Sequence, residues 1–182
     1  MKRSTLLSLI LLAFVSTINF EAQAQKFAGL DKSPMDVSAY PSSYREANKL
    51  IRITYSRPQL KGREVSNLAK HGQVWRTGAN EASEIILYTD MKLGDTTVKA
   101  GTYSFYTIPG EGEWTVIINS DLNTWGAYSY NESKDVARLT VPCTNGDDSL
   151  EAFSIAFEEG DKGVDMHLGW GTVRVEVPFK KA

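Results

Sequence analysis

The sequence predicts an all-β protein, an antiparallel β-sandwich or jelly-roll with little helix. Apolar residues from Leu50 onward recur with period two, the signature of strands buried on one face. The runs are short and are punctuated by glycine- and proline-bearing turns. No helical periodicity alternates with them, as a parallel α/β sheet would require.

The first 24 residues stand apart from that pattern. Lys2 and Arg3 precede an apolar run over residues 6–15, broken only by Ser8, and Ala22-Gln23-Ala24 places small residues where signal peptidase needs them. The run is too short for a bilayer span, which takes about 20 residues. Residues 1–24 are therefore expected to be a signal peptide, with Gln25 first in the mature chain and export to the periplasm or the extracellular space. No cysteine lies near the cleavage site, so a lipoprotein anchor is not expected. Residues 25–49, rich in Ser, Pro and Ala, are expected to run extended over the surface before a single domain at residues 50–182.

Within that domain the strands can be placed one at a time. Ile51, Ile53 and Tyr55 alternate with Arg52, Thr54 and Ser56 until Pro58 stops the run. Residues 83–89 carry Ile85, Ile86 and Leu87 contiguously, as a strand covered on both faces does. A Gly94-Asp95 turn leads to residues 96–98, and Ala100-Gly101 leads into 102–108. There Tyr103, Phe105 and Thr107 share one face, and Ser104, Tyr106 and Ile108 the other. The turn from Pro109-Gly110 through Gly112 opens a hairpin into Trp114, Val116 and Ile118. Further strands are expected at 136–141, 150–157, 164–168 and 172–177, and short helices only within 63–71 and 131–135.

Composition and motifs exclude several function classes. The formal net charge is −2 with no basic stripe, so nucleic acid is not an expected partner. No segment after the leader is apolar enough to span a membrane. The single cysteine, Cys143, cannot close an intramolecular disulfide and reads as a small buried hydrophobe. Neither a Gly-x-Ser-x-Gly nucleophile elbow nor a phosphate-cradling glycine loop occurs, and no cofactor is expected. No metal is expected either: His71 and His167 lack the spacing of a zinc set, and the acidic turns at 147–148 and 158–161 lack the calcium-loop pattern.

One segment reads as neither strand nor ordinary turn. Residues 74–82 gather an indole (Trp75), a guanidinium (Arg76), an amide (Asn80) and a carboxylate (Glu81) around Gly78. A stacking face beside bidentate donors and acceptors is what recognition of a sugar or a carboxylate requires. Arg57 and Arg63, on the turn-rich segment upstream, and Trp125, on a later loop, complete the candidate ligand-binding set. The competing structural roles are that Arg76 pairs with Glu81 or Glu84 and that Trp75 plugs the end of the barrel. Trp114 is expected in the core, and Trp170, between two glycines, at a strand end capping the sandwich.

Several stretches resemble the family called domain of unknown function 2911. They are Ser56-Arg57-Pro58, Lys61-Gly62-Arg63, residues 74–82, Ala100-Gly101-Thr102-Tyr103-Ser104, Ile108-Pro109-Gly110, Glu113-Trp114-Thr115-Val116 and Trp125-Gly126. The resemblance runs over residues 33–177 with the motifs in order. It implies an exported bacterial protein, many members coming from Bacteroidetes-type organisms, and it carries no activity.

The leading functional expectation is a non-enzymatic binding module for a small polar ligand or glycan, because charged and aromatic residues concentrate in loops on a plain strand scaffold. The alternatives are a glycan-active enzyme using Glu81 as acid or base, and a structural or assembly protein of the periplasm. Hydrolysis calls for a second carboxylate. Glu84, three positions on, would point to the opposite strand face unless the loop bends.

Overall fold

Alternation resolves, among the described residues, into nine strands, all paired antiparallel, in one continuous sheet. The structure is a computed structural model describing residues 25–182, so the expected signal peptide lies outside the described residues. Residues 25–30 are exposed and carry no regular secondary structure. The strands lie in the unit formed by residues 31–182. They are β1 (Met35–Tyr40), β2 (Ile51–Ser56), β3 (Ser83–Leu87), β4 (Met91–Leu93), β5 (Thr96–Val98), β6 (Gly101–Pro109), β7 (Glu113–Asn119), β8 (Asp135–Gly160) and β9 (Gly163–Lys181). Among the described residues, helix is confined to α1 (Val65–Leu68) and a 3-10 turn (Glu132–Lys134), both inside the segments where the sequence allows them.

The spatial order β1-β2-β3-β6-β7-β8-β9-β4-β5 is a meander with one excursion: the β4–β5 hairpin leaves after β3 and docks on the far end of β9. β8 pairs with β7 through Pro142 and with β9 from Cys143 onward, its register slipping on either side of Leu150. The sheet thereby forms two parts joined through β8. Buried side chains from β2, β3, β6 and β7 share one core with those of β4, β8 and β9. Tyr55 of β2, for example, meets Phe153 of β8 edge to face at 5.7 Å.

Two sequence expectations change form. The four strands expected from 136 to 177 are two long ones. The Gly146-Asp147-Asp148 stretch reads locally as a turn, yet Arg174 of β9 carries it: its Nη2 donates to the Asp148 carbonyl at 2.6 Å, and its side chain fills the space a Cβ on Gly146 would need. Within the segment 25–49, which the sequence places before the domain, the sheet takes six residues as the edge strand β1. Its alternation is weak because Met35 and Val37 lie on an uncovered face.

The connection after β7 covers the outer face of β6 and β7. Tyr106 and Ile117 are buried there in a second small cluster with Ala82, against Val74, Ala127 and Tyr130. The Tyr106 hydroxyl is 2.6 Å from Thr124 Oγ1, and Ser104 Oγ donates to the Asp121 carbonyl at 2.5 Å. β6 is therefore buried on both faces, which leaves this connection to build the surface features beside it.

Candidate functional site

Segment 74–82 is held from both sides. Trp75 and Thr107 exchange backbone hydrogen bonds of 2.7 and 3.0 Å, which anchor the segment to β6. Thr77 and Asn80 then take left-handed backbone, at φ 53° and 62°. The Thr77 strain is held by burial: its Oγ1 lies 3.1 Å from Thr107 Oγ1, and its carbonyl accepts from Ser83 Oγ at 2.7 Å. Gly78 passes so close to β2 that a Cβ there would lie 3.0 Å from the Ser56 carbonyl oxygen. Asn80 turns the chain toward the loop after β7. Gly126 N–H donates to the Asn80 carbonyl, Ala82 N–H donates to the Thr124 carbonyl, both at 2.9 Å, and Glu81 bridges Trp125. Residues 80–82 and 124–126 together make a short ridge with a cleft on each flank.

On one flank a cleft of about 420 Å³ is lined by Glu81, Glu84, Thr54, Thr124, Met35 and Trp125, among others. Trp125 is 59 % exposed. Glu84 Oε1 accepts from the Asn123 N–H at 3.1 Å, and among the described residues neither Glu81 nor Glu84 is paired with a cation. The two carboxylates share this cleft because the chain turns at Asn80 and β3 begins only at Ser83. Glu81 thus precedes the strand, and alternation does not govern where it points.

On the other flank a cleft of about 440 Å³ is lined by Arg76, Lys70, Gln73 and Tyr128, with the edge of Trp75. Arg76 Nη1 donates to the Asn80 carbonyl at 3.2 Å, and the guanidinium carbon lies 5.8 Å from the centre of the Tyr128 ring. Arg76 forms no ion pair with Glu81 or Glu84. Gly126, at φ 67°, makes room for that ring: a Cβ there would sit 2.8 Å from a Tyr128 ring carbon.

The candidate set is thus divided. Arg76, Asn80, Glu81 and Trp125 meet at the ridge. Trp75 is 7 % exposed, stacked on Trp170 with ring centres 5.5 Å apart and set edge-on to Trp114 and Phe153. Its indole is a core element, and Trp170 is buried in mid-strand with it. Arg57 donates to Asp36 Oδ2 at 3.0 Å, to the Phe153 carbonyl at 3.0 Å and to Ser154 Oγ at 2.7 Å, tying β1 and β8 to the end of β2. Arg63 folds back onto the Leu60 and Gln59 carbonyls, both at 2.8 Å, at the rim of a third cavity of about 610 Å³.

That third cavity also borders His71 and Cys143, and burial pushes the Cys143 thiol above its ordinary pKa, which keeps it protonated. His167 lies 3.8 Å from both Glu158 and Glu176 on β8 and β9. Among the described residues no group of three His, Cys, Asp or Glu side chains is placed to hold a metal ion. Sequence reasoning did not select Tyr128 or Lys70. Tyr128 had a signal, three positions after Trp125 in the same loop, whereas nothing in the sequence ties Lys70 to Arg76.

No curated protein and no solved structure matches the chain. A family model described as "Protein of unknown function (DUF2911)" matches residues 37–179, from β1 to the last turn of pairing in β9. The match takes in the ridge and the scaffold behind it, and the chain belongs to the DUF2911 family.

Proposed function

We propose that the protein is an exported binding module for a small polar ligand or glycan, held in the cleft beside Trp125. The observation that carries this reading is the indole itself, 59 % exposed at the wall of a cleft of about 420 Å³. An indole face stacks on the apolar face of a sugar ring. The carboxylates of Glu81 and Glu84 and the hydroxyls of Thr54 and Thr124 line the same space and accept hydrogen bonds from ligand hydroxyls. Export rests on the leader pattern of residues 2–24.

Isothermal titration against a panel of neutral oligosaccharides tests the module. Binding by the wild type should weaken at least about tenfold in Trp125→Ala, the scale of one lost stacking contact plus its buried area. An unchanged affinity in Trp125→Ala, or no binding across the panel, sinks this reading. The shared cleft of Glu81 and Glu84 favours a second reading, a glycan-cleaving enzyme. Product analysis on the same panel tests it, with turnover unchanged in Glu81→Gln counting against it.

A further inference from the structure

Three arginines are half-buried among the described residues: Arg57, Arg76 and Arg174. Arg57 uses three donor atoms, one of them on the carboxylate of Asp36. Arg174 makes three bonds, to the carbonyls of Gly171, Val173 and Asp148. Arg76 makes one, at 3.2 Å, and has no acidic partner. A guanidinium withdrawn from water needs compensating acceptors, and a carboxylate meets its planar fork with two parallel bonds. The cleft that Arg76 lines adds the ammonium of Lys70 and the amide of Gln73, and its lining contains no acid. Tyr128 and the Asn80 carbonyl hold the guanidinium in place from the ridge side, so it is positioned before any ligand arrives.

We infer that Arg76 and Lys70 form an oxyanion subsite on the flank of the ridge opposite Trp125, and that the ligand presents a carboxylate to it. The carboxylate belongs either to a uronic acid unit of a glycan or to a free organic acid. The subsite rests on the binding-module reading but on different residues, so the two fail separately.

Glucuronate, glucose, acetate and sulfate are the probes, titrated into the wild-type protein, Arg76→Gln, Arg76→Lys, Lys70→Gln and Trp125→Ala. Glucuronate should bind at least about tenfold tighter than glucose, a margin that shrinks as salt is raised. Arg76→Gln should erase the margin, Lys70→Gln should reduce it, and Arg76→Lys should restore only part, since the fork is lost. Trp125→Ala, on the opposite flank, should leave the margin intact. The urea midpoint of Arg76→Gln should match the wild type, and Lys70→Gln reads the same margin if Arg76→Gln does not fold. Acetate binding as tightly as glucuronate supports the subsite and points to a free acid. Equal affinity for glucose and glucuronate, a margin that survives Arg76→Gln, tighter binding of sulfate than of either carboxylate, or no binding of any probe overturns it. A Trp125→Ala protein that binds both sugars normally, with the margin lost only in Arg76→Gln, leaves the subsite standing and removes the indole from the ligand.

Discussion

Asp135 shows how single residues hold the surface that carries the ridge. Its side chain is 9 % exposed and accepts from Asn119 Nδ2 at 2.7 Å, from the Tyr130 hydroxyl at 2.6 Å and from Arg138 Nε at 2.6 Å. This clasp joins both ends of the 120–134 connection to the sheet. Burial, and then the bond given to Asp135, push the Tyr130 hydroxyl up to about 12. The folded state therefore keeps a proton that the unfolded chain loses above about pH 10. Below that pH the group contributes nothing to the pH dependence, and between about pH 10 and 12 stability falls as pH rises. Tyr130 is only partly buried, so solvent screens the effect and the loss is about 1 kcal/mol, less than the ~2.7 kcal/mol carried by two full pKa units. Urea melts at about pH 9 and about pH 11.5 should show this extra slope in wild type and not in Tyr130→Phe. An identical slope in both proteins would contradict the clasp. At this scale the sequence left Arg76 open between brace and pocket, because an ion pair depends on where two distant backbones place their side chains.

Turns decide the site at the scale of elements. Glu81 and Glu84 share a cleft only because left-handed Asn80 ends the loop before β3 begins. The opposing loop needs Gly126 for two reasons, its φ of 67° and the nearness of the Tyr128 ring. Gly126→Ala should cost about 1–2 kcal/mol for the left-handed backbone and push Tyr128 off Arg76. Thermal melts and the solvent exposure of Tyr128, read by chemical modification, check both effects. A variant as stable as wild type would mean the loop relaxes freely. Glycines and polar residues in 74–82 and 123–128 mark these loops in the sequence. Their pairing is a contact between segments some forty residues apart, and no local pattern encodes it.

Across the whole molecule, the aromatic group of Trp75, Trp114, Phe153 and Trp170 joins the loop, β7, β8 and β9. Trp75→Ala should therefore cost about 3–5 kcal/mol, the loss of a large aromatic side chain from a core. Near-ultraviolet circular dichroism should lose tryptophan signal while the far-ultraviolet β spectrum persists. A loss under about 1 kcal/mol would place Trp75 outside the core. The same residue explains why the candidate set is divided. From the sequence, an indole beside an arginine in a glycine-bearing loop reads as a surface platform, and only its packing against strands far along the chain makes it core.

Period-two alternation was enough to establish an antiparallel all-β fold and the two faces of β6 and β7, because which way a strand residue points is a local property of an extended backbone. The length of β8 and β9 was not legible, since Gly146 is supported by Arg174 from a neighbouring strand. The family was legible because its motifs lie in order along the chain. The division of Arg57, Arg63, Trp75, Arg76 and Trp125 among brace, rim, core and two clefts came from tertiary packing. Burial and counterion supply depend on which strands become neighbours when the sheet bends through β8, and that sum of long-range contacts has no signature at any single position.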